Sequence, residues 1–175
     1  GAVGGGSSLQ SGGIITMLLG RETPIRARAV SLDLFERFSR ILDGYEFHQV
    51  GCLNLFTKDV MAQNAWLRQL WSRLGGRFEV LHGREITERY PDLQADDGDY
   101  GVLDLRSGYS EPHRYVPALK ARLQEMGVEF REHDAVIGFD IRNDRLVGVE
   151  TKSATLEADA AVCAVNAWAN HVLSF

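Results

Sequence analysis

The chain has 175 residues, of which 45% are hydrophobic and 25% are charged, a balance that can bury an ordinary single-domain core. A formal net charge of -5, with arginines scattered among acids, argues against a general nucleic-acid-binding protein, which needs a clustered basic face. The longest apolar runs, such as 160–165, are far shorter than the roughly 20 residues that span a bilayer, so we expect no membrane span.

The chain opens with a glycine-dense segment over residues 1–13, which alone is typical of a flexible linker. Gly4 and Gly6 form a G-x-G, but Leu9 occupies the third glycine position of a dinucleotide fingerprint, and no strand precedes it. The alternative to a linker is a cofactor cradle, because glycine lets backbone N–H groups approach a planar ring closely. Local evidence favours the linker. The segment lacks the basic and apolar regions of a signal peptide, which predicts a cytoplasmic protein.

Helical periodicity predicts a long helix over 22–43, ended by Gly44. Aromatic and aliphatic residues over 47–57 predict a strand. A second helix is expected over 59–74, with Asp59 as a possible N-cap. Both helices repeat apolar residues at three- and four-residue spacing, so each should bury one face.

The middle of the chain alternates short elements. We predict a strand over 77–82, a helix over 84–90 stopped by a proline, an acidic loop over 92–99, and a strand over 100–105. The acids of that loop, Asp96, Asp97 and Asp99, are interpreted as solvated side chains rather than as a cation site.

Pro112 opens a third helix at a position where a missing N–H costs nothing. Proline is disfavoured inside a helix, so Pro117 predicts that the regular part of this helix begins nearer Val116. Gly127 should end this helix. Its buried stripe is expected to consist of Val116, Leu119, Leu123 and Met126.

Strand patterns dominate the rest of the chain, beginning with a short strand over 128–131. Strands over 136–141 and 146–150 flank a turn at 142–145, which predicts a hairpin. Another strand is expected over 155–158. The run 160–165 is apolar throughout, which predicts a strand buried on both faces, as in a parallel sheet. Cys52 and Cys163 lie in apolar segments and are interpreted as buried free thiols.

No self-contained catalytic signature stands out in the sequence. Each of the five histidines stands alone, without a second ligand one helical turn away, so structural or surface roles are expected. No Cys/His spacing predicts a metal site. The catalytic residues are therefore left unassigned.

Five segments stand in one order along the chain. They are 6–14 (GSSLQSGGI), 51–55 (GCLNL), 86–93 (ITERYPDL), 108–112 (GYSEP) followed by two leucines, and 127–168, which ends in AVNAW. In this order and spacing they resemble the D-amino-acid oxidase (DAO) family of FAD-dependent oxidoreductases, of the sarcosine oxidase and glycine oxidase type.

The resemblance implies a mixed α/β (α+β) fold, part of an FAD/NAD(P)-binding-type domain joined to an antiparallel-sheet substrate-binding domain. It assigns 1–44 to a flavin-proximal loop and long helix, 45–110 to part of the substrate domain, and 111–175 to the return into the FAD domain. The family's nucleotide fingerprint and its C-terminal segment have no counterpart in this sequence. A partner subunit or further segments of the same protein are therefore expected.

The resemblance also implies FAD as the cofactor. The residues placed beside the isoalloxazine are Ser7, Ser8, Gln10, Ser11, Gly12, Gly13 and Ile14. The backbone of Val136 is expected at the adenine end, and the turn near the pyrophosphate and ribose contains Ala164, Asn166, Ala167 and Trp168. Asn166 stands where the family usually has glycine, and asparagine tolerates a left-handed backbone better than most residues. Gln10 stands where the family often has arginine or a small residue, so no charge-based tuning of the flavin is carried over.

The implied activity is oxidation of the C–N bond of an amino acid or secondary amine, with hydride transfer to flavin N5 and hydrolysis of the resulting imine. The expected partner is thus a small amine or amino acid. An alternative is a non-catalytic binding or interaction module that keeps the fold without flavin. An NAD-dependent dehydrogenase has less support, because no G-x-G-x-x-G is present. These motifs do not separate an oxidase from a dehydrogenase.

Overall fold

The computed structural model describes residues 1–18 and 21–174. The chain divides into two units, one of residues 7–126 and one that joins residues 1–6 to the chain from residue 127 onward. The three-part division at residues 44 and 110 stays a prediction from the family resemblance.

The unit of residues 7–126 is organised around helix α1, Glu22–Ile41. Ile25 and Leu32 lie fully buried on one face of this helix, as the helical spacing predicts. Glu22 in the first turn and Arg40 in the last turn complement the helix dipole. Gly44 follows in a left-handed conformation with φ 73°. The predicted long helix is confirmed, two residues shorter at its end.

Two three-stranded sheets belong to this unit, and all of their pairs are antiparallel. In chain order the strands are β1 Ile14–Ile15, β2 Phe47–His48, β3 Cys52–Thr57, β4 Phe78–His82, β5 Asp99–Asp104 and β6 Gly108–Ser110. One sheet has the order β1-β6-β2 and the other β3-β5-β4. The prediction of one strand over 47–57 is wrong, because Gly51, at φ 82°, turns the chain between β2 and β3.

The second predicted helix is also divided. Helices α2, Lys58–Gln63, and α3, Ala65–Arg73, meet at Asn64, whose backbone leaves the helical region. The Asn64 side-chain amide donates to the Val60 carbonyl at 2.8 Å, so it competes for the helix's own backbone acceptor. The N-cap position belongs to Thr57, and Asp59, predicted there, lies in the first turn.

Two further helices follow: the short α4, Gly83–Arg89, and the longer α5, Pro112–Glu125. The expected late start of the third helix is wrong, because α5 is regular from its first proline and contains Pro117. Pro117 is the sixth residue of α5, so its missing N–H removes one intrahelical hydrogen bond, a loss that the helix tolerates. The predicted stripe is at most half-buried, and Met126 is 66% exposed just beyond the helix end.

The core of the 7–126 unit lies where α1, α3 and the sheets meet. Its most deeply buried side chains are Met17, Leu18, Ile25, Leu32, Leu70, Trp71 and Val102. Phe35, Phe38 and Tyr115 pack around this cluster. Burial of so many large apolar side chains is the main stabilising contribution in this unit.

The other unit contains the sheet β7-β8-β9, with strands β7 Val136–Arg142, β8 Arg145–Thr151 and β9 Thr155–Glu157. Asn143 and Asp144 form a two-residue turn with φ 52° and 57°. Positive φ at both positions matches the twist of a hairpin, and Asn and Asp tolerate it. The predicted hairpin is confirmed.

Two predicted strands of this unit are wrong. Residues 128–131 and 160–165 form no strand, and Val162 is 93% exposed. A strand needs a neighbour for its backbone hydrogen bonds, and within residues 1–18 and 21–174 none pairs with either segment. The expectation of buried thiols also fails for Cys163, which is exposed, whereas Cys52 is half-buried; both are free.

The unit ends in a 3₁₀ turn over Asn166–Trp168 and the short helix α6, Ala169–Val172. In the part of the chain that the structure describes, none of the helices has both the length and the apolar content needed to cross a membrane.

Candidate functional site

The loop that precedes β1 is a succession of tight turns. The backbone N–H of Gln10 donates to the Ser7 carbonyl at 3.2 Å, and that of Ser11 to the Ser8 carbonyl at 3.4 Å. The Ser11 hydroxyl accepts a hydrogen bond from the Gly13 N–H at 3.2 Å. Residues 7–12 are exposed, so three serine hydroxyls are available at the surface of this ordered loop.

The two glycines of this loop do different things. Gly13 has φ 66°, and its carbonyl accepts a hydrogen bond from the Ser110 N–H at 2.8 Å. A Cβ on residue 13 would lie 2.0 Å from the Ser110 carbonyl oxygen, which no side chain tolerates. A Cβ on residue 12 would meet nothing within 4 Å. Gly13 therefore fastens the loop to β6, and only Gly12 leaves open space beside the backbone.

A pocket of about 240 Å³ lies against this loop. Its lining combines hydroxyl groups with apolar and aromatic side chains: Ser8, Ser11, Gly13, Ile15, Phe35, Ser110, Pro112, Tyr115 and Val116. The rings of Phe35 and Tyr115 are tilted, with centroids 5.0 Å apart. The pocket thus offers hydroxyl donors and aromatic side chains within one lining, which suits a flat, partly polar ring.

These residues fit one part of a flavin. An apolar cavity of roughly 150 Å³ accepts a benzene molecule, so this pocket has room for one ring with its substituents rather than for a whole cofactor. Ser8, Ser11 and Gly13 of the predicted flavin loop line it. Ser7, Gln10 and Gly12 are exposed and do not line the pocket, and Ile14 projects from the edge strand β1, 71% exposed.

A buried pair of hydroxyl groups lies beside the pocket. The Tyr45 Oη donates to the Ser110 Oγ at 3.0 Å. Burial raises the pKa of Tyr45, the nearby Tyr115 raises it further, and the hydrogen bond with Ser110 offsets part of the rise. Burial also raises the pKa of Tyr115. Both phenols therefore keep their protons near neutral pH and place no negative charge beside the pocket.

A buried carboxylate fixes the corner between β5 and β6. Asp104 is fully buried and accepts hydrogen bonds from the Thr16 hydroxyl at 3.4 Å, from the Ser107 hydroxyl, and from the Arg106 N–H at 3.1 Å. Thr16 directly follows β1, and Ser107 directly precedes β6. The cluster around Asp104 therefore links β1, which follows the serine-rich loop, to β6, which contributes to the pocket. Asp104 is thus a structural residue that the sequence motifs did not indicate.

Arg106 extends this corner to the helices. Its guanidinium donates to Glu36 at 2.9 Å and to Asp33 at 2.7 Å, both on α1, and to the Gly75 carbonyl at 3.2 Å. Burial lowers the pKa of Arg106, but the hydrogen bonds and charges of Asp33 and Glu36 outweigh burial and raise it. The arginine is only 12% exposed, so it acts as an interior ionic link.

The remaining predicted cofactor residues lie in the other unit. Val136 begins β7, opposite Thr151, and is half-buried. It lines an apolar pocket of about 240 Å³ together with Val165 and others, but Ala164, Asn166, Ala167 and Trp168 do not line it. Ala164, Ala167 and Trp168 are exposed. Asn166 has φ 49°, a left-handed conformation that asparagine tolerates better than most residues.

The sequence did not indicate six cofactor-site residues that complete the pocket in the 7–126 unit: Ile15, Phe35, Ser110, Pro112, Tyr115 and Val116. The antiparallel pairing of β1 with β6 brings Ser110 beside Gly13, and no local pattern near the loop indicates this pairing. Within the described residues, no group of histidine, cysteine and acidic side chains could hold a metal ion.

Comparison with known proteins identifies the family. The family model named DAO, FAD dependent oxidoreductase, matches residues 1–174. The chain is 29% identical to the D-amino acid dehydrogenase of Neisseria meningitidis serogroup C over 159 residues, which are 88% of this chain and 38% of that protein. It is 26% identical to human peroxisomal sarcosine oxidase over 134 residues, 74% of this chain and 33% of that protein.

Solved structures share the fold. The L-proline dehydrogenase of P. horikoshii superposes with a TM-score of 0.86 at 24% identity, over 97% of this chain and 46% of that one. The glycine oxidase of Bacillus cereus superposes with a TM-score of 0.73 at 17% identity, over 99% and 50%. The predicted mixed fold with antiparallel sheets is confirmed. The chain spans less than half the length of the curated relatives that it matches. It belongs to the DAO family of FAD-dependent oxidoreductases.

Proposed function

We propose that this chain forms part of an FAD-dependent oxidoreductase that oxidises the C–N bond of an amino acid or secondary amine. The observation that carries the proposal is the pocket of about 240 Å³ where the serine-rich loop meets β6. The relatives' names support the substrate class, since one is a D-amino acid dehydrogenase and another a sarcosine oxidase.

The flavin supplies, when bound, the acceptor for the hydride that leaves the amine-bearing carbon. The share of this chain is to hold and orient the ring. Ser8 and Ser11 would donate hydrogen bonds to its polar edge, and Phe35 and Tyr115 would pack against its apolar edge. The same apolar side chains exclude water from that edge.

The two neutral phenols beside the pocket support its assignment to a flavin ring. Tyr45 and Tyr115 keep their protons, because burial raises the pKa of each. They therefore add no negative charge that would disfavour an electron-accepting ring. The rest of the FAD site, and the residues that hold the substrate, would come from a partner subunit or from further segments of the same protein.

Titration of the purified chain with FAD tests the proposal. We expect quenching of flavin fluorescence and a shift of flavin absorbance, with riboflavin competing and ADP not competing for the same site. Val116→Trp should fill the pocket and weaken FAD binding by about tenfold or more, whereas Val128→Trp, outside the pocket, should leave it unchanged. Absence of any FAD-dependent signal, or equal binding by both variants, would contradict the assignment.

The second candidate is a binding module that keeps the fold without flavin. The exposed loop favours it, because the turns of residues 7–12 are already closed by hydrogen bonds within the chain. Anaerobic addition of D-amino acids, proline and sarcosine to the protein after incubation with FAD separates the two functions. Bleaching of the flavin absorbance supports the oxidoreductase, and binding of these amines by a chain that takes up no FAD supports the module.

A further inference from the structure

One face of the sheet β1-β6-β2 carries a row of three side chains, of which Ile14 and Tyr109 are exposed and His48 is half-buried. Ile14 pairs with Tyr109, and Tyr109 pairs with His48. Directly opposite residues on antiparallel strands project from the same face, so the three side chains lie side by side. Residues of the opposite face, such as Phe47 and Ser110, are buried. The row therefore lies on the more open face of a sheet whose other face is packed.

The row contains a rigid aromatic surface. The rings of His48 and Tyr109 stack with centroids 4.6 Å apart and an interplanar angle of 25°. Tyr109 stays 41% exposed despite this contact. Stacked rings lose little freedom when a further flat group packs on them, so the pair is suited to a planar or cyclic apolar ligand.

Charged groups surround the aromatic pair in one open cleft of about 580 Å³. The cleft is lined by Gly44, Tyr45, Glu46, His48, Tyr109, Glu111 and Arg114. Arg114 pairs with Glu111 at 2.7 Å. Glu46 forms no ion pair with any described residue. The lining therefore has one negative charge in excess of its positive charges. The excess charge favours a cationic ligand, such as an ammonium group.

We propose that this cleft binds an amine that carries a planar or cyclic apolar group, and that Tyr109 is the residue that selects for that group. The ring of the ligand packs on Tyr109 and His48, and its ammonium group faces Glu46. The assignment of this ligand as the substrate rests on the proposed function. The row begins at Ile14, the residue that directly follows the proposed flavin loop.

Three probes separate the contributions of ring and charge, with binding measured by NMR shifts of the His48 and Tyr109 rings in the purified chain. Benzylamine has both the ring and the ammonium group, methylamine has only the ammonium group, and benzoate has the ring with the opposite charge. We expect benzylamine to bind about tenfold more tightly than either of the others. Equal affinities for the three probes, or no shift with any of them, would overturn the proposal.

Variants test the residues themselves. Tyr109→Leu should weaken benzylamine binding by about tenfold without changing that of methylamine, and Tyr109→Phe should preserve it. Tyr90→Leu, at the end of α4 and outside the cleft, is the matched control. Glu46→Gln should weaken both amines, and Glu88→Gln should weaken neither. Circular dichroism checks that each variant is folded. An unchanged benzylamine affinity in folded Tyr109→Leu overturns the role of Tyr109.

Different experimental results would contradict the cleft assignment and the flavoenzyme proposal. If FAD fails to bind but benzylamine shifts both rings, the cleft assignment stands and the flavoenzyme proposal falls. If FAD binds and benzylamine does not, the flavoenzyme proposal stands and the cleft assignment falls.

Discussion

The backbone of Gly13 lies against that of Ser110. The Ser110 N–H donates to the Gly13 carbonyl at 2.8 Å, and the space where residue 13 would carry a Cβ is filled by the Ser110 carbonyl oxygen. This contact fastens the serine-rich loop to β6 and shapes one wall of the pocket. The loop is thus held by backbone geometry rather than by its side chains.

Gly13→Ala should destabilise the protein, because alanine must adopt φ 66° and meets the Ser110 carbonyl. The left-handed backbone alone costs about 1–2 kcal/mol, and the collision adds to it. Gly12→Ala, with open space at its Cβ and no positive φ, should change the free energy of unfolding by less than about 1 kcal/mol. Urea unfolding of both variants measures the difference, and equal losses would contradict this account of the loop.

Tyr45→Phe should cost about 1 kcal/mol of unfolding free energy, because the buried Ser110 hydroxyl loses its donor at 3.0 Å. A double-mutant cycle with Ser110→Ala checks the assignment. We expect the second substitution to cost little once the first is present. Full additivity of the two losses would show that the two hydroxyls do not interact.

The same two tyrosines predict an alkaline loss of stability. The pKa of Tyr45 and that of Tyr115 lie above the ordinary 10.0 in the folded chain, so the folded state holds these protons more tightly than the unfolded state. Their contribution is complete below pH 10 and falls as the pH rises through the folded pKa values. Urea midpoints measured from pH 8 upward should fall less steeply in Tyr45→Phe and Tyr115→Phe than in the parent chain. Parallel curves would contradict the burial of these phenols.

Arg106→Met should lower the free energy of unfolding by about 2 kcal/mol or more, since Glu36 and the Gly75 carbonyl lose a nearly buried donor. Arg84 provides the matched control, because its ion pair with Asp97 at 3.1 Å is largely exposed. Arg84→Met should cost less than about 0.5 kcal/mol. Thermal unfolding of the two variants in parallel distinguishes the interior link from the surface pair.

The two free cysteines should react at different rates with a thiol reagent. Cys163 is exposed. Cys52 is half-buried, and burial and the charge of Asp104 raise the pKa of its thiol, so less of the reactive thiolate forms. We expect Cys163→Ser to remove the fast phase of labelling by a disulfide reagent and Cys52→Ser to remove the slow phase. A fast phase that persists in Cys163→Ser would contradict the exposure of this residue.

Local patterns predicted the elements whose determinants are local. The spacing of Ile25 and Leu32 predicts α1, and the Asn143–Asp144 turn predicts the hairpin, because each depends on residues a few positions apart. The division of the second helix at Asn64 is a competition between a side chain and the backbone that periodicity does not reveal.

The incorrect predictions concern contacts between distant parts of the chain. The apolar run 160–165 has strand composition, but within the described residues it has no neighbour to pair with. The pocket combines Ser11 with Ser110 and Tyr115, and only the pairing of β1 with β6 brings them together. The order of the motifs indicated the family and the loop. Nothing in the sequence near that loop indicated the residues that form the opposite wall of the pocket.

The Gly13–Ser110 contact also constrains the order in which segments fold while the chain is being synthesised. β1 precedes α1 in the sequence, and its only pairing strand, among the described residues, is β6. While the ribosome is still making the intervening helices, the loop has nothing to dock on and stays unstructured. The loop proposed to hold the flavin is therefore translated well before β6 and reaches its final conformation only after β6 has been made. A nascent chain that stops before residue 108 would contain every serine of that loop and still lack the pocket.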